Sequence, residues 1–158
     1  MNILENISLK QYNTFGIDVK AKHFVSVNNV EELISVLKLR DYPGRFILGG
    51  GSNMLLTKDV EALVIHLNLK GCRVISQSEE KVKVKVSSGE NWHGFVLWCL
   101  ENNFGGVENL SLIPGNVGAA PIQNIGAYGS ELKEVFVSCE ALHIKTWITI
   151  DCQKVLFH

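Results

Sequence analysis

LSLIPGNVGAAPIQNIGAYGSEL, residues 110–132, carries no charged side chain before Glu131, and the nearest charge upstream is Glu108. An uncharged run of this length is ordinarily a membrane span or a core helix. A span is excluded, because Pro114, Pro121, the glycines and the side-chain amides would leave polar groups unsatisfied in hydrocarbon. Gly115, Gly118, Gly126 and Gly129 let the backbone approach a neighbour closely, and Gln123 and Asn124 offer paired donors and acceptors. The stretch reads as a binding surface for a large neutral or anionic ligand. Residues 117–120 are small enough to lie against a flat ring. Pro121 resets the backbone, Gln123 and Asn124 suit ribityl or heteroaromatic edges, and the Tyr128 phenol has the reach to touch a ligand. A glycine-rich packed hairpin is the plainer account of the same residues.

A second glycine cluster, Gly49-Gly50-Gly51-Ser52-Asn53, follows the strand-like Arg45-Phe46-Ile47-Leu48. Consecutive glycines expose backbone N–H groups with no side chain in the way. Such a nest suits a pyrophosphate, with Ser52 and Asn53 adding hydrogen bonds. A flexible turn is the alternative. Two familiar phosphate loops are ruled out. No Gly-Lys pair occurs, so there is no Walker loop. The dinucleotide fingerprint needs a further glycine where Met54 stands, and a helix where residues 54–57 look like strand.

The bulk composition is that of a globular chain. Hydrophobic residues make up 46% of the 158, enough for a core, and the net charge of −1 gives no footprint for nucleic acid. Neither a secretory signal nor a membrane helix is expected. The 4 cysteines, Cys72, Cys99, Cys139 and Cys152, form no CxxC pair and are expected to be reduced, mostly buried thiols. No metal is expected. In Gly89-Glu90-Asn91-Trp92-His93 a catalytic cluster competes with a structural reading: Gly89 turns the chain, Asn91 caps a helix, Trp92 enters the core and His93 is solvated.

Periodicity organises the rest. Residues 23–27 read as a strand, and Asn29 with Glu32 as a capping box opening a helix with Leu33, Ile34 and Leu37 on its apolar face. Residues 54–56 and 62–67 are strand-like. Strands are expected at 72–76 and 81–86, the latter alternating valine with lysine. Asn91 opens a helix with Trp92, Phe95, Val96 and Cys99 on one face, which the glycines at 105–106 end. Strands follow at 135–144 and 147–150. The fold class is α+β, with two α+β lobes at residues 1–68 and 69–158.

Asn13-Thr14-Phe15-Gly16, Leu48-Gly49-Gly50-Gly51-Ser52-Asn53, Gly89-Glu90-Asn91-Trp92, Ile113-Pro114-Gly115 and Pro121-Ile122-Gln123-Asn124-Ile125-Gly126-Ala127-Tyr128-Gly129 resemble, in order and spacing from Leu9 to Lys145, the UDP-N-acetylenolpyruvoylglucosamine reductases. These are flavoproteins of cell-wall peptidoglycan biosynthesis. The resemblance implies an FAD-binding domain of the vanillyl-alcohol-oxidase (VAO, PCMH) type, with the flavin between its two lobes. It implies that Gly49, Gly50, Gly51, Ser52 and Asn53 wrap the pyrophosphate. It implies that Pro114, Gly115, Gly118, Ala119, Ala120, Gln123, Asn124, Gly126, Ala127 and Tyr128 line the rest of the cofactor, with Tyr128 towards the substrate. Nothing in the settings of the histidines and cysteines argues for a covalent flavin, so FAD is expected to be non-covalent.

The implied reaction is that of an oxidoreductase: NADPH reduces FAD, and the flavin reduces the enolpyruvyl group of UDP-N-acetylglucosamine enolpyruvate. A cytoplasmic monomer, free of nucleic acid and membrane, is expected. The departures matter equally. The family's third, substrate-binding domain, with its Gly-Ser-Phe-Phe-type motif and late glutamate, has no counterpart here. Residues 154–158 stand where the resemblance implies a Phe-Gly-Tyr-Arg motif, and the turn glycine expected after Thr146 is missing. The second lobe is therefore expected to be truncated, and no catalytic residue is identifiable. The alternative to an active reductase is a catalytically inactive FAD-binding remnant. Another flavin oxidase of the same fold is disfavoured by the Pro121–Asn124 block.

Overall fold

Residues 20–27 and 60–67 form the centre of the molecule as two parallel strands. The computed structural model describes residues 2–144, 146 and 148–153. Its larger sheet has the order β1-β2-β4-β3: β1 (Leu4–Ser8), β2 (Lys20–Val27), β3 (Arg45–Leu48) and β4 (Val60–Leu67). β2, β4 and β3 run parallel, and β1 closes one edge antiparallel to β2.

Helix α1 (Val30–Lys38) carries the chain from β2 to β3. It begins where the sequence places it. Asn29 accepts from the Glu32 N–H at 2.8 Å, and Glu32 reaches back to the Asn28 N–H at 2.8 Å, one residue earlier than a strict capping box. Both faces of the sheet are covered, so adjacent residues of one strand are buried in opposite directions. Phe24 and Val64 pack with Leu9, Val19, Leu48 and Leu56. Val25, Val27, Leu63 and Ile65 pack with Val36 and Leu37 of α1. Val36 is fully buried, whereas Ile34 is only half-buried, so the helix leans on a stripe shifted from the expected one.

A parallel connection needs a crossover, and from β3 to β4 residues 49–59 supply it without a helix. The expected strand at residues 54–56 does not form. Leu56 is buried and Met54 packs beneath, while Leu55 is 65% exposed, so the crossover alternates like a strand without pairing. β1 is the strand the sequence hides. Its residues are mostly exposed and Asn6 has φ +53, so no alternation marks it.

β5 (Cys72–Gln77) and β6 (Val82–Val86) form an antiparallel pair with a register shift between Val74 and Ser76. Helix α2 (Trp92–Glu101), capped by Asn91 onto the Gly94 N–H at 2.9 Å, buries Trp92, Val96 and Cys99 against Val107, Leu110, Ala120 and Leu132. That cluster anchors the uncharged stretch, and the Trp92 indole N–H donates to the Leu110 carbonyl at 2.7 Å inside it. The stretch holds a short helix, α3 (Ala120–Gln123), and a small hairpin, β7 (Gly126–Ala127) and β8 (Ser130–Glu131).

The strand expected at 135–144 is shorter: β9 is Ser138–Leu142, paired antiparallel with β10 (Thr149–Gln153). The N–H groups of Val135 and Phe136 turn back to the Leu132 carbonyl, which takes those residues out of any ladder. Trp147 of the expected last strand lies outside the described residues. The cysteines correct the composition-based picture, since Cys99 is buried but Cys72 and Cys139 are only half-buried. Burial of the thiol raises Cys99 to about 11.

Candidate functional site

The glycine loop lies where strand topology predisposes a site. It leaves the carboxyl end of β3 at the point where the chain reverses its order across the sheet, and open α/β sheets bind ligands at such ends. The N–H groups of Gly50, Gly51, Ser52 and Asn53 find no acceptor among the described residues. Backbone donors left without an acceptor are the kind of group an anion engages.

The glycines are not equivalent. Gly49 has open space where a Cβ would stand, and it lines the cleft. A Cβ on Gly50 would sit 2.8 Å from Asn116 Oδ1 and 3.3 Å from the Gly115 Cα. Gly51 packs against residues 12 and 13. At φ +63 its Cβ would lie 2.0 Å from the Tyr12 carbonyl oxygen, and its own carbonyl accepts from the Thr14 N–H at 3.1 Å. Gly51 therefore seats the loop on the 12–14 turn. Asn13 makes that turn rigid, its buried amide bonding the Leu9 carbonyl at 2.7 Å and both backbone groups of Ile17 at 3.0 Å.

The uncharged stretch faces this loop. Residues 115–118 are stitched to residues 88–92: the Trp92 N–H donates to Gly115 O at 3.0 Å, Val117 N–H to Glu90 O at 2.8 Å, and Gly118 N–H to Ser88 O at 3.0 Å. Gly118 needs to be glycine because a Cβ would lie 2.6 Å from the Ser88 Cβ. Gly115 faces Ser52, whose Oγ would be 2.8 Å from a Cβ there. Two hollows result, and Asn116 borders both. The outer one is a cleft of about 350 Å³ lined by Gln11, Tyr12, Gly49, Gly50, His66, Asn68, Lys70, Gly89 and Asn116. The inner one is a slot of about 10 Å³ among Ser52, Trp92, Pro114, Ala119, Ala120, Gln123 and Ile125. The inner slot has room for about one water, so a ring system enters only if its walls part.

The hairpin at 126–131 carries the other expected residues. Tyr128 and Gly129, at φ +53 and +81, form its two-residue turn. Gly126 and Ala127 are ladder residues. Tyr128 is 91% exposed and Ile122 is 86% exposed, so both project from the uncharged stretch. Asn124 is held in the structure: at φ +40 its amide donates to Glu131 at 3.1 Å and accepts from the Lys133 N–H at 3.0 Å. Lys133 and Asn124 together hold the Glu131 carboxyl below its ordinary range.

The cleft also contains residues that sequence reading missed. His66 stands at the end of β4 with Nδ1 3.1 Å from Ser26 Oγ and its ring edge-on to Tyr12, centroids 5.0 Å apart. Burial, and secondarily Lys70, pull its pKa below 6.5. Lys70 bonds the Gly89 carbonyl and lies 3.8 Å from Glu90, so its charge is held at the cleft. Gly89 approaches the Leu69 backbone so closely that a Cβ would stand 2.5 Å from its nitrogen. No local pattern marks His66, Asn68 or Lys70, because strand pairing alone brings them beside Gly49. His93, expected to be solvated, is instead half-buried. Its Nδ1 accepts from the Leu112 N–H at 3.3 Å and lies 3.1 Å from Ser111 Oγ, pinning a turn in which Leu112 has φ +62.

The donor set fits FAD at its phosphates: unpaired loop N–H groups, a lysine at the rim, and glycine faces that a side chain would fill. Residues 21–145 match the FAD binding domain family. The chain is 60% identical over 146 residues to the UDP-N-acetylenolpyruvoylglucosamine reductase of Flavobacterium johnsoniae, covering 92% of this chain and 43% of that protein. Against the protein of the same name from Pseudomonas aeruginosa it is 51% identical, covering 90% and 42%. The chain thus spans less than half the length of these relatives. Its backbone resembles the crystal structure of UDP-N-acetylenolpyruvylglucosamine reductase from Thermus caldophilus, with a TM-score of 0.71 at 24% identity over 97% of this chain and 52% of that one, a likeness of fold. Among the described residues no helix is long and apolar enough to cross a membrane.

Proposed function

The chain belongs to the FAD binding domain family, and on that premise we propose that it is the flavin-holding part of a UDP-N-acetylenolpyruvoylglucosamine reductase. One FAD binds non-covalently. The observation that carries this reading is a loop, Gly50 to Asn53, whose N–H groups find no acceptor among the described residues and which meets Asn116 at Gly50 and Gly115 at Ser52. Those N–H groups receive the pyrophosphate, with Lys70 adding charge at the rim. Ser52, Pro114, Ala119, Ala120 and Gln123 line the slot that widens to admit the ring system. Tyr128 and Ile122 face outwards, towards the substrate side. The fold is read as two lobes, residues 1–68 and 69–158, gripping the ligand between them.

Bound FAD would supply hydride transfer from NADPH to the enolpyruvyl double bond of UDP-N-acetylglucosamine enolpyruvate. The residues of this chain bind, orient and shield; none of them is assigned a proton-transfer step. The protein acts in the cytoplasm as a monomer. The 158 residues alone bind FAD but do not turn over substrate, because the arginine, serine and glutamate implied by the resemblance have no counterparts in them.

Titration of the purified chain with FAD, followed by flavin fluorescence, tests the reading. Saturable binding at one FAD per chain is expected. Gly50→Val should weaken it at least tenfold, since its side chain would fill the space shared with Asn116. Equal affinities for parent and variant would overturn the loop assignment. NADPH oxidation that depends on the enolpyruvyl substrate, catalysed by this chain alone, would overturn the claim that it lacks turnover.

A further inference from the structure

We infer that His66 tunes affinity at the outer cleft: it takes up a proton when the phosphates of the ligand enter, so that FAD binds more tightly as the pH falls. This role rests on the reading of the cleft as the seat of FAD. Strand pairing puts the ring there. The ladders set Ser26 and Leu48 on either side of His66, and Gly49 follows Leu48 directly. The imidazole lines the cleft together with Gly49, Gly50 and Lys70. Phe24 stacks on it with centroids 6.1 Å apart and Tyr12 meets it edge-on at 5.0 Å, so packing holds the ring in place. Nδ1 lies 3.1 Å from Ser26 Oγ, which leaves Nε2 without a partner among the described residues. A hydroxyl serves both protonation states, since it donates to a bare Nδ1 and accepts from Nδ1–H. Charging the ring therefore costs no hydrogen bond.

The groups around the ring set the direction of the effect. β2 and β3 bring the uncharged Ser26, Phe24 and Leu48 to it, and Gln11 and Tyr12 bring an amide and a phenol to the cleft. The charged neighbour is Lys70, whose ammonium lies 3.8 Å from Glu90, and Glu90 also accepts from the Gly71 N–H at 2.6 Å. In the free protein, burial and then Lys70 keep the imidazole neutral. The cleft thus offers a doubly charged pyrophosphate one lysine, itself partly offset by Glu90. An anion in the same cleft counters the repulsion from Lys70 and favours the imidazolium, which supplies a second positive charge. A group protonated more readily in the complex strengthens binding as pH falls through its bound-state pKa, by at most about tenfold per pH unit for one proton. Well above that pKa the gain is absent. The pyrophosphate diester of FAD stays fully ionised and contributes no proton of its own.

The test titrates the full chain with FAD by calorimetry between about pH 8 and pH 6, in buffers of differing ionisation enthalpy. The parent should bind at least about threefold more tightly at the acid end and take up about half a proton or more per FAD. His66→Gln keeps a hydrogen-bonding partner for Ser26 but carries no charge. It should match the parent at about pH 8 and show no tightening below it. An NMR titration of the parent gives a measure that needs no variant: the His66 ring should titrate at higher pH with FAD bound than without. An unchanged ring midpoint overturns the inference, as does FAD binding that is flat with pH, and either result leaves the proposed function standing. Equal proton uptake by the parent and H66Q also overturns it, by assigning the proton to another group. Absence of FAD binding at every pH overturns the proposed function, and this role with it.

Discussion

Gly49 and Gly51 flank Gly50 in an unbroken glycine run, yet the structure assigns them different jobs, and alanine at each position separates the two. At Gly51 the new Cβ meets the Tyr12 carbonyl oxygen at 2.0 Å and the Asn13 Cα at 2.8 Å, both backbone atoms. The residue also keeps φ +63, which costs an L-residue about 1–2 kcal/mol. Relieving the clash moves a loop held by the buried Asn13 amide, and overpacking of this kind costs about 1–3 kcal/mol more. The sum for Gly51→Ala is about 2–5 kcal/mol. With a urea slope of about 1–3 kcal/mol/M, that moves the unfolding midpoint by roughly 1–5 M. At Gly49 the Cβ meets nothing within 4 Å and φ lies outside the left-handed region. Gly49→Ala should change stability by less than about 0.5 kcal/mol, while placing a methyl in the cleft and weakening FAD binding. Urea unfolding of both variants, each also titrated with FAD, decides the matter. Equal midpoint shifts, or a stable Gly51→Ala paired with a destabilised Gly49→Ala, would refute the division of roles.

Trp92→Phe keeps most of the buried ring but removes the indole donor to the Leu110 carbonyl. A loss of about 1–3 kcal/mol in chemical denaturation is expected, from the carbonyl left without its partner. His66 prefers its neutral form in the folded protein. That contribution is complete above about 6.5 and is lost as pH falls through the lowered folded-state pKa, because there the unfolded chain binds more protons. Thermal unfolding between about pH 7.5 and 5 should therefore show a steeper loss of stability for the parent than for His66→Phe. Tyr128 occupies a left-handed turn position with its side chain in solvent. Tyr128→Asn should stabilise the hairpin by a few tenths to about 1 kcal/mol, since asparagine tolerates that conformation. A thermal melt that fell instead would show that the tyrosine makes a contact the fold needs.

The helices were legible because their signals are local. Asn29 with Glu32, and Asn91 before an apolar stripe, name their own termini, and the caps form within one residue of the reading. The alternating valines and lysines of residues 82–86 were legible for the same reason. Residues 54–56 misled because Met54 and Leu56 turn inward around an exposed Leu55, a pattern that a pairing strand and an unpaired crossover share. β1 was invisible because an edge strand with little burial need not alternate. The burial of His93 is not legible locally, because its partners, Ser111 and Leu112, are remote in sequence.

Chain chemistry alone determined that two glycine-rich stretches had to meet something closely, since only glycine permits such approach. It also determined that neither is a Walker or a Rossmann loop. The tertiary structure decided which glycine serves which purpose. Gly51 and Gly118 are glycines because the Tyr12 and Ser88 backbones press against them, whereas Gly49 opens onto the cleft. It also decided that His66, Asn68 and Lys70 join the site, because parallel pairing of β3 with β4 carries their carboxyl ends to one place. Local sequence encodes the backbone's freedom and hydrogen-bonding capacity, but which groups converge around a ligand depends on strand order, which no short segment contains.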